Sequence, residues 1–267
     1  MLMTTFTTRD GTTLALRDWP VSGSTRTVLI VHGLGEHAGR FERVATWLNA
    51  RGLAVRAYDQ YGHGSSSGRR GHLATDTQLV DHLTEVFATL SGPVILMGHS
   101  LGGLVAASAV AHERVKPAGL VLSSPALAVP TQAWQRAALA ILPRWAPNLT
   151  LGNGLEPAFL SHDPKIVQAY RDDPLVHDRI CARLGGFVAN EGTRVRERAA
   201  SWPVRTLLLY AGDDRLVDPA GSEAWSALAP RSLVTSHRFE SFYHEIFNEP
   251  AAEPVFKALG DWLDGAD

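Results

Sequence analysis

Pro93-Val94-Ile95-Leu96-Met97-Gly98-His99-Ser100-Leu101-Gly102-Gly103 sets an apolar run against a serine framed by glycines. Pro93–Met97 reads as a buried strand ending at Gly98, and Leu101–His112 reads as a helix. A serine at a strand-to-helix turn of the form G-x-S-x-G carries its hydroxyl above the edge of an α/β sheet. The letters alone are weak, because glycine and serine are common and two positions are free. The setting between strand and helix is what makes Ser100 a candidate nucleophile.

Outward from this turn, strand-like and helix-like runs alternate. A hairpin is expected over Thr4–Thr8 and Thr12–Trp19, turning at Asp10-Gly11. Further strand-like runs lie at Val28–Val31, Ala54–Tyr58, Val94–Met97, Gly119–Leu122, Thr206–Tyr210 and Leu233–Phe239. The middle runs are apolar without alternation, as parallel strands covered on both faces are. Helix-like segments fall between them at Arg40–Ala50, Asp76–Leu90 and Leu101–His112, and later at Pro219–Leu228 and Pro250–Leu263. The alternation predicts a doubly wound, mostly parallel α/β sheet with helices on both faces. It breaks between Pro125 and Trp202, where three helix-like pieces follow one another: Gln132–Leu142, Pro164–Arg171 and Leu175–Val188. We read residues 1–124 and 203–267 as the sheet domain, and residues 125–202 as a helical cap inserted over the Ser100 side.

A serine hydroxyl is protonated at neutral pH, so it needs a general base, and the base needs an orienting carboxylate. His244, in Ser241-Phe242-Tyr243-His244-Glu245, follows the last strand-like run, and Asp213-Asp214 follows Thr206–Tyr210. Positions beyond the carboxyl ends of different strands converge on one crevice in open α/β sheets. Ser100, an aspartate and His244 can therefore meet although they are far apart in sequence. Asp213 and Asp214 compete for the acid role, while Asp218, just before Pro219, has the position of a helix N-cap. His237 lies inside a strand-like run, where packing or exposure is its expected role. A tetrahedral intermediate also needs donors for its oxyanion. The backbone N–H of Leu101, following the serine, is one. Leu34 is assigned the other, in the turn His32-Gly33-Leu34-Gly35 whose glycines allow close backbone approach.

Composition narrows the class. A chain of 267 residues, 45% of them hydrophobic, can fill one sizeable core. A formal charge of −2 with no basic run argues against a nucleic-acid partner. The single cysteine, Cys181, permits no internal disulfide and fits a reducing compartment; it falls in a predicted cap helix and is expected to pack as a small apolar residue. Met1-Leu2-Met3-Thr4-Thr5-Phe6 lacks the pattern of a signal peptide, and no apolar run approaches the roughly 20 residues of a membrane span, so a soluble cytoplasmic protein is expected. Eleven histidines raise the question of a metal. There is no H-E-x-x-H, and His32, His37, His63 and His72 sit on glycine-rich loops without Cys or carboxylate partners at ligand spacing. They are expected to pin loops by hydrogen bonds. Gly62-His63-Gly64 and Gly33-x-Gly35 complete no phosphate-binding motif, and no metal or organic cofactor is expected.

Longer strings carry a family resemblance. His32-Gly33-Leu34-Gly35-Glu36-His37, Arg40-Phe41 and Asp59-x-x-Gly62-His63-Gly64-x-Ser66-x-Gly68-x-Arg70-Gly71-His72 resemble the monoacylglycerol lipase family, whose bacterial members are often called lysophospholipases. So do Gly98-His99-Ser100-Leu101-Gly102-Gly103, Pro147–Gly152, Asp173-Pro174-Leu175, Asp214-Arg215-Leu216 and Tyr243-His244, and the likeness covers nearly the whole chain. It implies an α/β-hydrolase fold with a helical cap, Ser100 as nucleophile, His244 as base, and Leu34 and Leu101 as oxyanion donors. It favours Asp214 over Asp213, because the family's acid directly precedes Arg-Leu, as here. Leu34 departs from the small residue of mammalian members, but only its N–H is used.

The resemblance implies a small-molecule lipid ester as substrate, a monoacylglycerol first of all. A lysophospholipid or a general carboxylic ester is the alternative within the same chemistry, and a non-catalytic binding protein is the alternative outside it. In the cap, Ala133, Trp134, Ala137, Ala138, Ala140, Ile141 and Leu142 form an apolar helix surface, with Trp145 shortly after. It reads either as packing on the sheet domain or as a surface for an acyl chain or membrane. With Arg136 the one basic residue on its polar face, at most transient membrane contact is expected.

Overall fold

The computed structural model describes residues 1–130 and 133–265, with the side chains of all of these except 133–137. Strands β1 (Leu2–Thr7), β2 (Thr13–Trp19), β3 (Thr27–Val31), β4 (Ala54–Tyr58), β5 (Val94–His99) and β6 (Gly119–Ser123) come first. Short strands β7 (Thr150–Gly152) and β8 (Arg179–Cys181) precede β9 (Thr206–Ala211) and β10 (Val234–Phe239). The helices are α1 (Glu42–Asn49), α2 (Gln78–Phe87), α3 (Leu101–Ala111), α4 (Ala133–Trp145), α5 (Pro164–Asp172), α6 (Ala182–Glu197), α7 (Pro219–Leu228) and α8 (Glu253–Asp264).

Eight strands form one sheet in the order β1-β2-β4-β3-β5-β6-β9-β10. The β1–β2 hairpin and its junction with β4 are antiparallel, and every other pairing in this sheet is parallel. The apolar runs without alternation have the cause read from the sequence. Val28 and Ile30 of β3 point to the core under α1 and α8, whereas Leu29 and Val31 point to the core under α2, α3 and α7. With both faces buried, every position must be apolar. β5 and β9 are buried along their whole length, and so is α3, which is apolar except for Ser108 because it lies between the sheet and α6. The α/β-hydrolase fold expected from the sequence is the fold of the chain.

Between β6 and β9 the chain leaves the sheet, and here the structure corrects the sequence reading. β7 and β8 pair antiparallel, Thr150 opposite Cys181 and Gly152 opposite Arg179, where no strand was expected. Three residues are too few to display a period of two. The helix expected at Leu175 starts instead at Ala182 and runs on to Glu197, its last turn carrying Arg194 and Arg196 against the negative end of the dipole. Cys181 is therefore outside the helix, in extended conformation at its N-cap, where Sγ accepts the Leu184 N–H at 3.4 Å. It is buried, as expected of a small apolar side chain. α4 passes the expected end at Leu142 and continues through Pro143, whose ring lies against Gly186 of α6: a Cβ on Gly186 would stand 2.6 Å from Pro143 Cγ. Gln132, and the side chains of Ala133, Trp134, Arg136 and Ala137 used in the apolar-face reading, lie outside the described residues. α6 is not a detached piece, since its Leu184, Phe187 and Val195 belong to the same buried cluster as α3.

Backbone meets backbone closely where α3 leaves β5. A Cβ on Gly102 would lie 2.2 Å from the Val31 oxygen and 2.4 Å from the His32 oxygen. Backbone cannot yield there as a side chain would. Gly102→Ala is expected to lower unfolding free energy by about 3 kcal/mol, the upper range for overpacking a core. Urea denaturation checks this, and a loss below about 1 kcal/mol would show that the turn is looser than described.

Candidate active site

β5 ends at His99, and Ser100 takes φ 52 and ψ −119 before α3 begins. A non-glycine residue at positive φ costs about 1–3 kcal/mol and persists only where its surroundings dictate it. They do: the Ser100 N–H donates to the Ser123 oxygen at 3.0 Å, and the Ser100 carbonyl accepts from Leu104 and Ala126 N–H groups, each at 3.0 Å. The hydroxyl is thereby carried beyond the sheet edge into a cavity.

Asp214 follows β9 and His244 follows β10, and their side chains meet: His244 Nδ1 is 2.7 Å from Asp214 Oδ2. The other carboxylate oxygen accepts the N–H groups of Leu216 at 2.9 Å and Val217 at 3.0 Å. Both side chains are buried. Burial alone would push the His244 imidazole down and the Asp214 carboxyl up. The opposite charge and the shared hydrogen bond outweigh it, so His244 is raised above 6.5 and Asp214 lowered below 3.8. Asp213, the rival acid, faces outward and pairs with Arg215 at 3.3 Å. Asp218 caps α7, accepting the Ala220 N–H at 3.0 Å, and His237 is exposed on β10.

His99 links serine and imidazole. Its ring centroid lies 4.7 Å from that of His244, and its Nδ1 is 3.1 Å from both oxygens of Ser123. Burial, helped by the nearby positive His244, lowers His99 to about 3, so it stays neutral and does not compete for the proton. The turn bearing Leu34 closes over the same point: a Cβ on Gly33 would be 3.1 Å from Ser100 Cβ.

Sequence reasoning missed what holds this turn. Glu36 Oε1 accepts the Gly33 N–H at 2.5 Å, and Glu36 Oε2 accepts from Arg40 Nη1 at 2.9 Å. Arg40 reaches on to Glu245, the residue after His244, through two hydrogen bonds of 2.5 and 2.9 Å. One buried guanidinium thus ties the Leu34 turn to the His244 loop. Burial raises both carboxyls. For Glu245 the Arg40 pairing outweighs it and the carboxyl is lowered, whereas Glu36, also repelled by Glu245, is raised. The i, i+4 spacing of Glu36 and Arg40 was a readable signal. The loop histidines do pin loops, His32 accepting the Gln60 N–H at 2.8 Å and His37 bonding Asp173 at 2.8 Å.

Ser100, Leu34 and Leu101 line a cavity of about 760 Å³ between the sheet edge and the β6–β9 excursion. Its described wall is otherwise apolar except for Asn153, Arg215 and the Cys181 thiol. Leu216 and Val217, whose N–H groups hold Asp214, also line it, so the carboxylate–imidazole pair stands directly behind the wall. Among the described residues no group of three or more His, Cys, Asp and Glu is placed to hold a metal ion.

Residues 23–251 match the family Hydrolase_4, described as "Serine aminopeptidase, S33". The chain belongs to this family. It is 33% identical to the monoacylglycerol lipase of Mycolicibacterium smegmatis over 88% of this chain and 87% of that protein. An uncharacterized abhydrolase domain-containing protein of Dictyostelium discoideum is 32% identical over 96% of this chain, which spans 28% of that protein's length. The crystal structure of Paleococcus ferrophilus monoacylglycerol lipase has a TM-score of 0.89 at 35% identity, covering 95% of this chain and 99% of that one. The resemblance read from the glycine- and histidine-rich strings is borne out.

The raised His244 value gives a test of the pair. Its NMR titration midpoint is expected above 6.5, and Asp214→Asn should lower it, since burial is then opposed only by the smaller effects of Glu245 and Glu36. The sign for stability follows: the paired imidazolium stabilises the fold fully below 6.5, and this contribution is lost as pH rises through the higher folded value. A midpoint unmoved by Asp214→Asn would show that the carboxylate is not what holds the charge.

Proposed function

We propose that the chain hydrolyses monoacylglycerols to glycerol and fatty acid through an acyl-enzyme on Ser100. One observation carries the reading: a strained serine opens into a large apolar cavity, backed by a buried carboxylate–imidazole pair. Small-molecule sites span about 300–1,000 Å³, and walls of leucine, valine and isoleucine suit an acyl chain. In the proposed reaction Ser100 Oγ attacks the ester carbonyl while His244 takes its proton. Asp214 holds the Nδ1–H and stabilises the imidazolium. The N–H groups of Leu34 and Leu101 receive the oxyanion. His244 returns the proton to the departing glycerol oxygen, and water repeats the cycle on the acyl-enzyme.

The family description names an aminopeptidase, and the cavity argues for an ester instead. An aminopeptidase must hold a free α-ammonium, for which a carboxylate is the natural partner. The described lining contains no carboxylate, and its one charged head is the cation Arg215. Relatives named monoacylglycerol lipase support the same choice.

An ester drawn from a lipid surface needs an entrance facing that surface. Ile141 and Trp145 of α4, with Leu149 before β7 and Leu151 within it, are exposed, Trp145 at 84%. Leu149 and Leu151 line the cavity as well, so the apolar patch and the cavity are continuous. No helix of the described residues is long and apolar enough to cross a membrane. Transient contact through this patch fits the reading. Trp145→Ala is expected to reduce turnover of vesicle-borne monoacylglycerol while sparing a soluble ester. Tight co-sedimentation with vesicles free of substrate would contradict transient contact.

The deciding experiment compares kcat/KM on monoacylglycerols of short, medium and long chain with lysophosphatidylcholine, p-nitrophenyl esters and an aminoacyl anilide. Monoacylglycerols should turn over fastest and the anilide should not turn over. Ser100→Ala should lower kcat by about 10³-fold or more, as loss of a triad member does. Near-normal activity in that variant would sink the mechanism, and preference for the anilide would sink the substrate.

A further inference from the structure

We infer that Asn153 is the headgroup-binding residue of this cavity, its side-chain amide donating to a glycerol hydroxyl of the ester; the inference rests on the monoacylglycerol reading above. Asn153 follows β7, and its backbone N–H donates to the Asp178 oxygen at 2.6 Å. Its Oδ1 accepts the Leu155 N–H at 3.0 Å. That bond decides which end of the amide is oxygen and leaves Nδ2, a donor of two hydrogens, facing elsewhere. Nδ2 is buried and has no hydrogen-bond partner among the described residues. Such an orphan costs about 1–3 kcal/mol and calls for a reason.

Its place supplies the reason. A Cβ on Gly35 would stand 3.3 Å from Nδ2, so the amide lies over the residue next to Leu34 in the proposed oxyanion turn. The other polar heads on the wall are engaged. Ser100 is the proposed nucleophile, and the Arg215 guanidinium pairs with Asp213 and stacks 4.9 Å over the Phe159 ring and 5.6 Å over that of Tyr243. An ester with one apolar and one hydroxylated end has a single sensible orientation here. The chain takes the leucine walls, and the hydroxylated end takes the donor beside the carbonyl. Nδ2 is covered in this arrangement. Asn153 itself lines the cavity, and in the inferred complex a rotation of its side chain presents Nδ2 to the arriving hydroxyl.

A site that hydrogen-bonds a substrate hydroxyl discriminates against the analogue lacking it. The test is kcat/KM on a medium-chain monoacylglycerol and on the methyl ester of the same acid. It compares wild type with Asn153→Asp, which keeps the acceptor for Leu155 N–H, and Asn153→Ala. Fluorophosphonate labelling of Ser100 in each variant reports an intact nucleophile. Wild type should favour the glyceride, and both variants should lose about tenfold of that preference, with the methyl ester changed less than about twofold. A preference kept in labelled variants overturns the assignment. So does an equal loss on both esters, which marks a structural residue. Failure of wild type to turn over the glyceride at all would instead remove the monoacylglycerol reading, and this assignment with it.

Discussion

The chain reverses at Ser100 in a gap so narrow that a methyl on Gly98 would strike the Gly102 oxygen at 2.4 Å, and one on Gly102 the Val31 oxygen at 2.2 Å. Two wholly buried elements, β5 and α3, enter this reversal from below; β5 cannot retreat without opening the core on both sides of the sheet, nor α3 without opening it on one. The strain at φ 52 is therefore held by packing together with the backbone hydrogen bonds to Ser123, Leu104 and Ala126, and both keep the hydroxyl forward. Everything above the sheet edge is arranged around that fixed point.

A second tie sets the other groups relative to it. Arg40 lies between Glu36 and Glu245, and so between the turn beside Ser100 and the loop carrying His244. Buried ion pairs contribute little net stability, but removing one partner from such a set costs about 3–5 kcal/mol. Two carboxylates on one guanidinium leave this region with surplus negative charge, relieved because Glu36 is raised and holds a proton more readily. The remaining negative field, from Asp214 first and Glu245 after it, keeps the His244 imidazole basic despite its burial. A single arginine thus serves geometry and electrostatics together.

The central sheet was legible because parallel strands buried on two faces write themselves as unbroken apolar runs, as in Leu207-Leu208-Leu209. β7 and β8 were not, being three residues each, and the apolar spacing of Leu175–Val188 ran straight through a loop, a strand and a helix cap. At the candidate site, strand ends pointed to Ser100, Asp213-Asp214 and His244, but spacing could not choose between the aspartates. The physical difference lies in burial: Asp214 turns inward to two backbone N–H groups and an imidazole, and Asp213 turns outward to Arg215. The Arg40–Glu245 contact joins residues 205 positions apart, and no local pattern encodes such a meeting.

The burial of α6 has a consequence for motion. Its Leu184, Phe187 and Val195 are continuous with α3 in the core, and Glu191 accepts hydrogen bonds from Ser108 and His112 of α3 at 2.7 and 2.9 Å. Amides of α6 should accordingly exchange with solvent deuterium only on global unfolding, whereas those of α4, with Ile141 and Trp145 facing outward, should exchange by local opening. The excursion over the cavity is then not one lid on two hinges. It is an outer helix leaning on a second helix that shares the fate of the core.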